Sequence, residues 1–220
     1  MNSGSNPSKR PYRAPKRLAS AARTREAIVR AAKQHFEEQG WSGTTLRSIS
    51  GSARVSQKTV EALFGTKAAL LQAAVDYAIR GDVDPLPMPQ REAVARMEAA
   101  HSAAAMLTLH AAHLRAINER SARLAWAIEQ AAAVDPTVAQ LWQQMNDNRT
   151  YAVRWATNTL LSKPDRRHGL HRRDVETTFW VALDWATYRT LTQHAHLTAN
   201  QFEQWLRKYY ASTLLNDTPT

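Results

Sequence analysis

The sequence predicts an all-α protein in two parts, a small N-terminal bundle of short helices and a larger helical domain behind it. Three observations carry this. Apolar residues recur at helical spacing along most of the chain. Capping residues stand just ahead of several of the runs. Glycine is scarce, seven of 220 residues, while alanine is frequent, a composition that favours helix. With 44% of its residues hydrophobic, a chain of this length can bury a real core.

Residues 1–19, MNSGSNPSKRPYRAPKRLA, hold Pro7, Pro11 and Pro15 and no acidic residue. They read as a flexible basic arm. Lys9, Arg10, Arg13, Lys16 and Arg17 suit a phosphate backbone or a minor groove; a solvated tail is the plainer reading of the same charge. From Arg23 to Gln39, Ile28, Ala31, Ala32 and Phe36 recur at helical spacing, and Gly40 stops the run. Thr44 or Thr45 caps a second helix with Leu46 and Ile49 inward. Ser56 caps a third, with Val60, Leu63 and Phe64 inward. Thr66 caps a fourth, carrying Leu70, Leu71, Val75 and Ile79. Phe36, Ile49, Val60 and Phe64 then form the centre of a three-helix bundle.

The segment GDVDPLPMPQ, 81–90, has three prolines in five residues and is the best domain boundary. The expected division is an arm over 1–19, a small domain with its linking helix over 20–81, and a larger domain over 82–220. Arg91–Ala99 is a short helix. Ala103–Ala133 is one long helix or two. Asp135-Pro136 opens the next, aspartate as cap and proline in the first turn, running to about Leu161. SKPDRRHGLH is a loop, and one helix is expected from Arg172 to His194. Thr198 with Gln201 three residues on makes a capping box for a last helix ending near Leu215. There is no internal repeat and no predicted strand.

The net charge is +10, and it is unevenly placed. Residues 1–81 hold 14 Lys/Arg against 5 Asp/Glu; residues 82–220 hold 15 against 14. A polyanion partner for the first third follows, nucleic acid before an acidic membrane surface. No cysteine is present, which excludes disulfides, thiolate zinc sites and cysteine nucleophiles. No apolar stretch approaches the roughly 20 residues of a membrane span, and the basic N-terminus lacks a signal peptide's apolar segment. A cytoplasmic protein without membrane association is expected, nucleoid-associated when bound to DNA.

SGSARVSQKTVEALFGTKAALL, Ser50–Leu71, has the spacing of a helix-turn-helix. Ser50 is the small residue at the helix crossing, Arg54 sits at the turn, and Val55, Val60 and Leu63 lock the helices. Arginine at a left-handed position costs roughly 1 kcal/mol relative to glycine. Together with the first helix ending HFEEQGW, and with TTLRSI, VSQKTV and LFGTKAALL, this makes residues 23–71 resemble the N-terminal DNA-binding domain of TetR-type bacterial transcriptional regulators. The resemblance implies three DNA-binding helices and a linking fourth, then a larger ligand-binding and dimerising domain. The family usually has glycine at Arg54, a small residue at Lys58 and an aromatic phosphate contact at Glu61. A carboxylate repels phosphate, so Glu61 is not carried over.

The N-terminal end of the third helix, from Ser56, is expected in the major groove. Gln57 suits adenine, Lys58 guanine or phosphate, and Thr59 a thymine methyl or phosphate. Arg47 reaches guanine from the second helix. Thr44, Thr45 and Lys67 hold phosphates.

In the larger domain the resemblance implies a ligand pocket among the middle helices. Trp126, Trp142 and Met145 are its expected walls, with His110, Asn118 and Arg149 as polar anchors. A core stripe is the alternative for the same apolar residues. His110 and His113 lack further ligands for a metal, so no metal and no cofactor is expected, and no nucleophile motif or phosphate-cradling loop points to an enzyme. The resemblance also implies a homodimer through the last two helices, with Phe179, Leu183 and Ala186 facing Phe202 and Leu206; completion of the monomer core is the alternative. The reading is a homodimeric regulator, a repressor released from a near-palindromic double-stranded operator by an unknown small-molecule effector. Its rivals are a DNA-binding protein without a ligand and an all-helical enzyme or carrier.

Overall fold

The computed structural model describes residues 14–216. It is built from ten α-helices, and the one β-type contact among the described residues is an isolated bridge between Arg166 and Leu215. Helix α1 runs Ala14–Gly43, with its axis broken at Gly40, whose φ of 66° ends the straight part. It therefore begins inside the stretch expected as an arm, of which residues 1–13 lie outside the described residues. Helices α2 (Leu46–Ser52), α3 (Gln57–Phe64) and α4 (Lys67–Arg80) follow, capped by Thr45, Ser56 and Thr66, each side chain accepting a backbone N–H three residues on. Gly81, left-handed at φ 90°, ends α4.

A single 3-10 turn at Met88–Gln90 leads into α5 (Glu92–Glu98). Helix α6 (Ala103–Ala132) is one unbroken helix of 30 residues. Helix α7 (Pro136–Leu161) starts with the Asp135 carboxylate accepting the N–H groups of Thr137 and Val138. The helix expected over 172–194 is instead three pieces: α8 (Arg172–Ala182), α9 (Trp185–Arg189) and a π-type turn at Thr190–His194. The break at Leu183-Asp184 has a tertiary cause. Asp184 leaves the helical path and pairs with Arg149 of α7 at 2.6 Å, while Trp185 donates to the Ser121 hydroxyl of α6 at 3.2 Å. Helix α10 (Ala199–Leu214) opens with the Thr198–Gln201 capping box.

Helix α6 is the spine, packing against α1, α4, α5, α7, α9 and α10. Two apolar cores flank it. The first holds Phe36, Ile49 and Val60 of the N-terminal helices and continues through Leu70, Leu71 and Ala74 of α4 into Leu124 and Ile128 of α6 and Val138 and Leu141 of α7. The second joins α5, α6, α7, α8 and α10 around Met106, Leu160, Phe179 and Phe202. Leu63, expected inward, is exposed, because Val60 takes the centre of α3's buried face and Phe64 is covered on its flank by the Arg25 guanidinium, 4.5 Å from the ring centroid.

The inward packing also corrects the expected dimer residues. Phe179, Phe202 and Leu206 are fully buried within the single chain, so they have no surface left to lose to a partner. They complete the monomer core. Leu183 faces a cavity described below, and Ala186 lines a smaller crevice. Outward residues of these helices include Thr177, Trp180 and Val181 on α8 and Gln204, Arg207 and Lys208 on α10.

Candidate nucleic-acid interface and ligand cavity

The turn between α2 and α3 is tight. Arg54 N–H donates to the Gly51 carbonyl and Val55 N–H to that of Ser50, and Arg54 takes φ 54°. The left-handed arginine read from the sequence is therefore present. Ser50 is buried where the helices cross, with its hydroxyl on the Arg47 carbonyl. Val60 is completely buried beneath α3. This locks α3 so that Arg47, Arg54, Ser56, Gln57 and Lys58 are all exposed in one region, with Thr59 half-buried at the same end. The Ser56 hydroxyl sits on Thr59 N–H at 3.0 Å, and Gln57 donates to Glu61 at 2.8 Å. Glu61 thus holds the Gln57 amide in the free chain, a partner that a base edge would have to displace.

Two expected phosphate contacts are otherwise engaged. Thr44 is fully buried, and its hydroxyl donates to the Gly40 carbonyl at 2.7 Å, closing the corner after α1. Thr45 is the exposed threonine and the cap. Lys67 turns to Trp41: its ammonium donates to the Trp41 carbonyl and lies 4.0 Å from the indole centroid. Partial burial lowers its pKa, while the Asp135 charge opposes that shift. The Trp41 Nε1–H in turn donates to Asp135 at 2.6 Å. Asp135 is the cap of α7, so this chain of contacts ties the α1–α2 corner to the larger domain. No sequence pattern marked it, since its members are 26 and 94 residues apart.

Between α4, α5, α6, α7 and the α8–α9 break lies a cavity of about 460 Å³, within the usual size of a small-molecule site. His110, Asn118, Met145 and Arg149 all line it. Trp126 and Trp142 do not; they border a separate crevice of about 150 Å³ beside Trp185 and Arg189. Trp155, Trp185, Met88 and Met97 supply the aromatic and thioether walls instead. Asp76, Ile79 and Arg80 also reach the cavity. The sequence reading missed these because it took α4 only as a link.

His110 is deeply set. Its Nδ1 lies 2.8 Å from the buried Tyr210 hydroxyl, and its ring meets the Phe179 face edge-on at 5.2 Å. Burial, with a smaller contribution from His113, lowers its pKa to about 3. Burial and then the Arg120 charge lower that of His113 to about 4. Both imidazoles are neutral at pH 7. Arg149 pairs with Asp184 and lies over the rings of Trp180 and Trp185, 5.1 and 5.7 Å from their centroids. Arg120, on α6 beyond the cavity, donates to the Ala78 and Ile79 carbonyls at the end of α4, both at 3.0 Å. Among the described residues no group of three or more His, Asp or Glu side chains is placed to hold a metal ion, and no helix is long and apolar enough to cross a membrane.

Comparison with known proteins adds three findings. Residues 28–74 match the family described as bacterial regulatory proteins, tetR family. No curated protein matches the chain significantly. Several solved structures share the fold. NalD of Pseudomonas aeruginosa, the secondary repressor of the MexAB-OprM multidrug efflux pump, is 18% identical, with a TM-score of 0.65 over 91% of this chain and 100% of that one. A TetR transcriptional regulator of Chloroflexus aurantiacus is 17% identical, with 0.61 over 90% and 100%. A candidate transcriptional regulator of Saccharomonospora viridis, in complex with choline, is 14% identical, with 0.64 over 90% and 100%. The match over residues 28–74 agrees with the motifs read between Arg23 and Leu71, and the chain as a whole shares the fold of these solved regulators.

Proposed function

We propose that the chain is a homodimeric transcriptional regulator, a repressor that leaves a near-palindromic DNA operator when a small molecule enters the cavity. Residues 20–81 form its DNA-reading unit, and residues 82–220 form its effector-binding and dimerising unit. The observation that carries the reading is the double membership of α4. Its C-terminal residues Asp76, Ile79 and Arg80 are cavity wall, while its N-terminal residues pack on the bundle that holds α3. An occupant of the cavity touches the same rigid helix on which the recognition helix sits. The Arg120 bonds to the end of α4 add a second link from the cavity's longest wall. Repression by NalD and choline in the Saccharomonospora structure support a ligand-responsive regulator as the role of this fold. The dimer is expected through the outward face of α8, with Trp180 and Val181, against its copy and the outer face of α10. Sedimentation of the Val181→Glu chain as a monomer, where the native chain is a dimer, tests that surface.

The ligand must favour the DNA-incompetent spacing of the two recognition helices, because equal affinity for both states shifts nothing. Linkage then demands symmetry: a ligand that weakens operator binding about tenfold, about 1.4 kcal/mol, is itself bound about tenfold more weakly on operator. The experiment selects an operator from random duplexes, then titrates ligand by tryptophan fluorescence with and without that operator. Equal ligand affinity in the two titrations refutes allosteric release and leaves a constitutive DNA-binding protein.

A further inference from the structure

The cavity's polar groups are arranged in a way that selects a class of ligand. His110, His113 and Asn118 share the cavity face of α6, spread over eight residues, or about 12 Å of helix axis. His113 and Asn118 make no side-chain hydrogen bond among the described residues, and Asn118 is only 3% exposed. His110 has one partner. The Tyr210 hydroxyl is wholly buried, and Nδ1 of His110 is its one neighbouring acceptor among the described residues. The hydroxyl therefore donates, and the ring proton resides on Nε2. Tyr210, its own pKa raised well above the usual value by burial, does not ionise to reverse this. The charged side chains of the wall are paired, Arg80 with Asp76 at 3.5 Å and Arg149 with Asp184 at 2.6 Å, and Nε of Arg149 is a buried donor without a partner.

Resting on the reading of this cavity as the effector site, the geometry points to an uncharged, mainly apolar effector that offers a hydrogen-bond acceptor to His110 Nε2–H and a second polar group to His113 or Asn118. An anion or cation entering the same space meets charges already engaged, by carboxylates at Arg80 and Arg149 and by backbone carbonyls at Arg120, and forfeits its hydration. Burial keeps both imidazoles neutral, so they do not act as anion-binding cations. A pure hydrocarbon fits the Met and Trp walls but leaves His110 Nε2–H, His113 and Asn118 without partners, a loss of the kind that costs a site about tenfold in affinity.

Four probes on one bicyclic skeleton separate these contributions: 2-acetylnaphthalene, 2-isopropylnaphthalene, 2-naphthoate and 2-naphthyltrimethylammonium, each titrated into the full chain by calorimetry at pH 7. The ketone should bind about tenfold more tightly than either ion and about tenfold more tightly than the hydrocarbon. Asn118→Leu should shrink the advantage of the ketone over the hydrocarbon. Asn118→Asp, which keeps the shape and adds an unmatched carboxylate, should raise affinity for the ammonium probe about tenfold and serves where Asn118→Leu does not fold. An ion that equals or exceeds the ketone overturns the uncharged class while leaving a ligand site in place. A hydrocarbon that equals the ketone overturns the acceptor. Failure of all four to bind at millimolar concentration overturns both this inference and the effector site on which it rests.

Discussion

Two histidines, His110 buried and His113 half-buried, make folding stability depend on pH in a definite direction. In the unfolded chain each titrates near 6.5; in the folded chain burial holds His110 at about 3 and His113 at about 4. Between these values the unfolded state binds more protons than the folded state, so stability falls as pH falls. At pH 5 an unfolded imidazole is about 97% protonated and its folded counterpart almost unprotonated, which removes about 2 kcal/mol per histidine relative to pH 7. The pair together should lower unfolding free energy by about 4 kcal/mol, a large part of the 5–15 kcal/mol typical of a domain. The carboxylates held low, Asp82 by its bond to Arg91 and Asp135 by the Val138 N–H, lose their contribution only as pH falls through the ordinary carboxylate range and below, and so leave the window from pH 7 to 5 undisturbed. Urea unfolding at pH 7, 6 and 5, followed by circular dichroism, measures the slope. In His113→Leu it should fall by about half. An unchanged midpoint from pH 7 to 5 would mean that water reaches both rings and that the cavity is polar in character.

Three further outcomes are expected. Arg54→Gly should raise stability by about 1 kcal/mol in thermal unfolding, since it relieves a left-handed arginine, while weakening DNA binding by the loss of one cation. Gln57→Ala should relax preference at one base pair of a selected operator by about 1–3 kcal/mol without changing the salt slope; an unaltered selected sequence would remove Gln57 from base reading. Trp41→Phe should lower the melting temperature by less than Asp135→Ala does, because the latter deletes the cap of α7 as well as the indole bond; the reverse order would mean that the inter-domain bond outweighs the cap.

Local chemistry was the legible part. Thr45, Ser56, Thr66, Asp135 and Thr198 all cap the helices they precede, because a cap is decided by a side chain and the N–H two or three residues along. The left-handed turn at Arg54 was legible for the same reason. Long-range pairings were not. No glycine or proline marks the break at Leu183-Asp184; it is made by Arg149 and Ser121, 35 and 64 residues away. Periodicity identified apolar stripes on α8 and α10 but not their partner, and Phe179, Phe202 and Leu206 face the chain's own core. His110, Asn118, Met145 and Arg149 fell on the cavity while Trp126 and Trp142 did not, since a stripe gives a direction around one helix and says nothing of the gap between three.

The first apolar core crosses the proline-rich boundary at 81–90 without interruption, from Phe36 and Val60 through Leu71 to Ile128 and Leu141. The consequence concerns portability. A biosensor made by grafting residues 1–81 onto a foreign effector domain would set Leu70, Leu71 and Ala74 against a surface shaped for other side chains. Such a graft should keep its fold only when Leu124, Ile128, Val138 and Leu141 travel with it, so the unit that can be exchanged is the reading head together with the lower ends of α6 and α7.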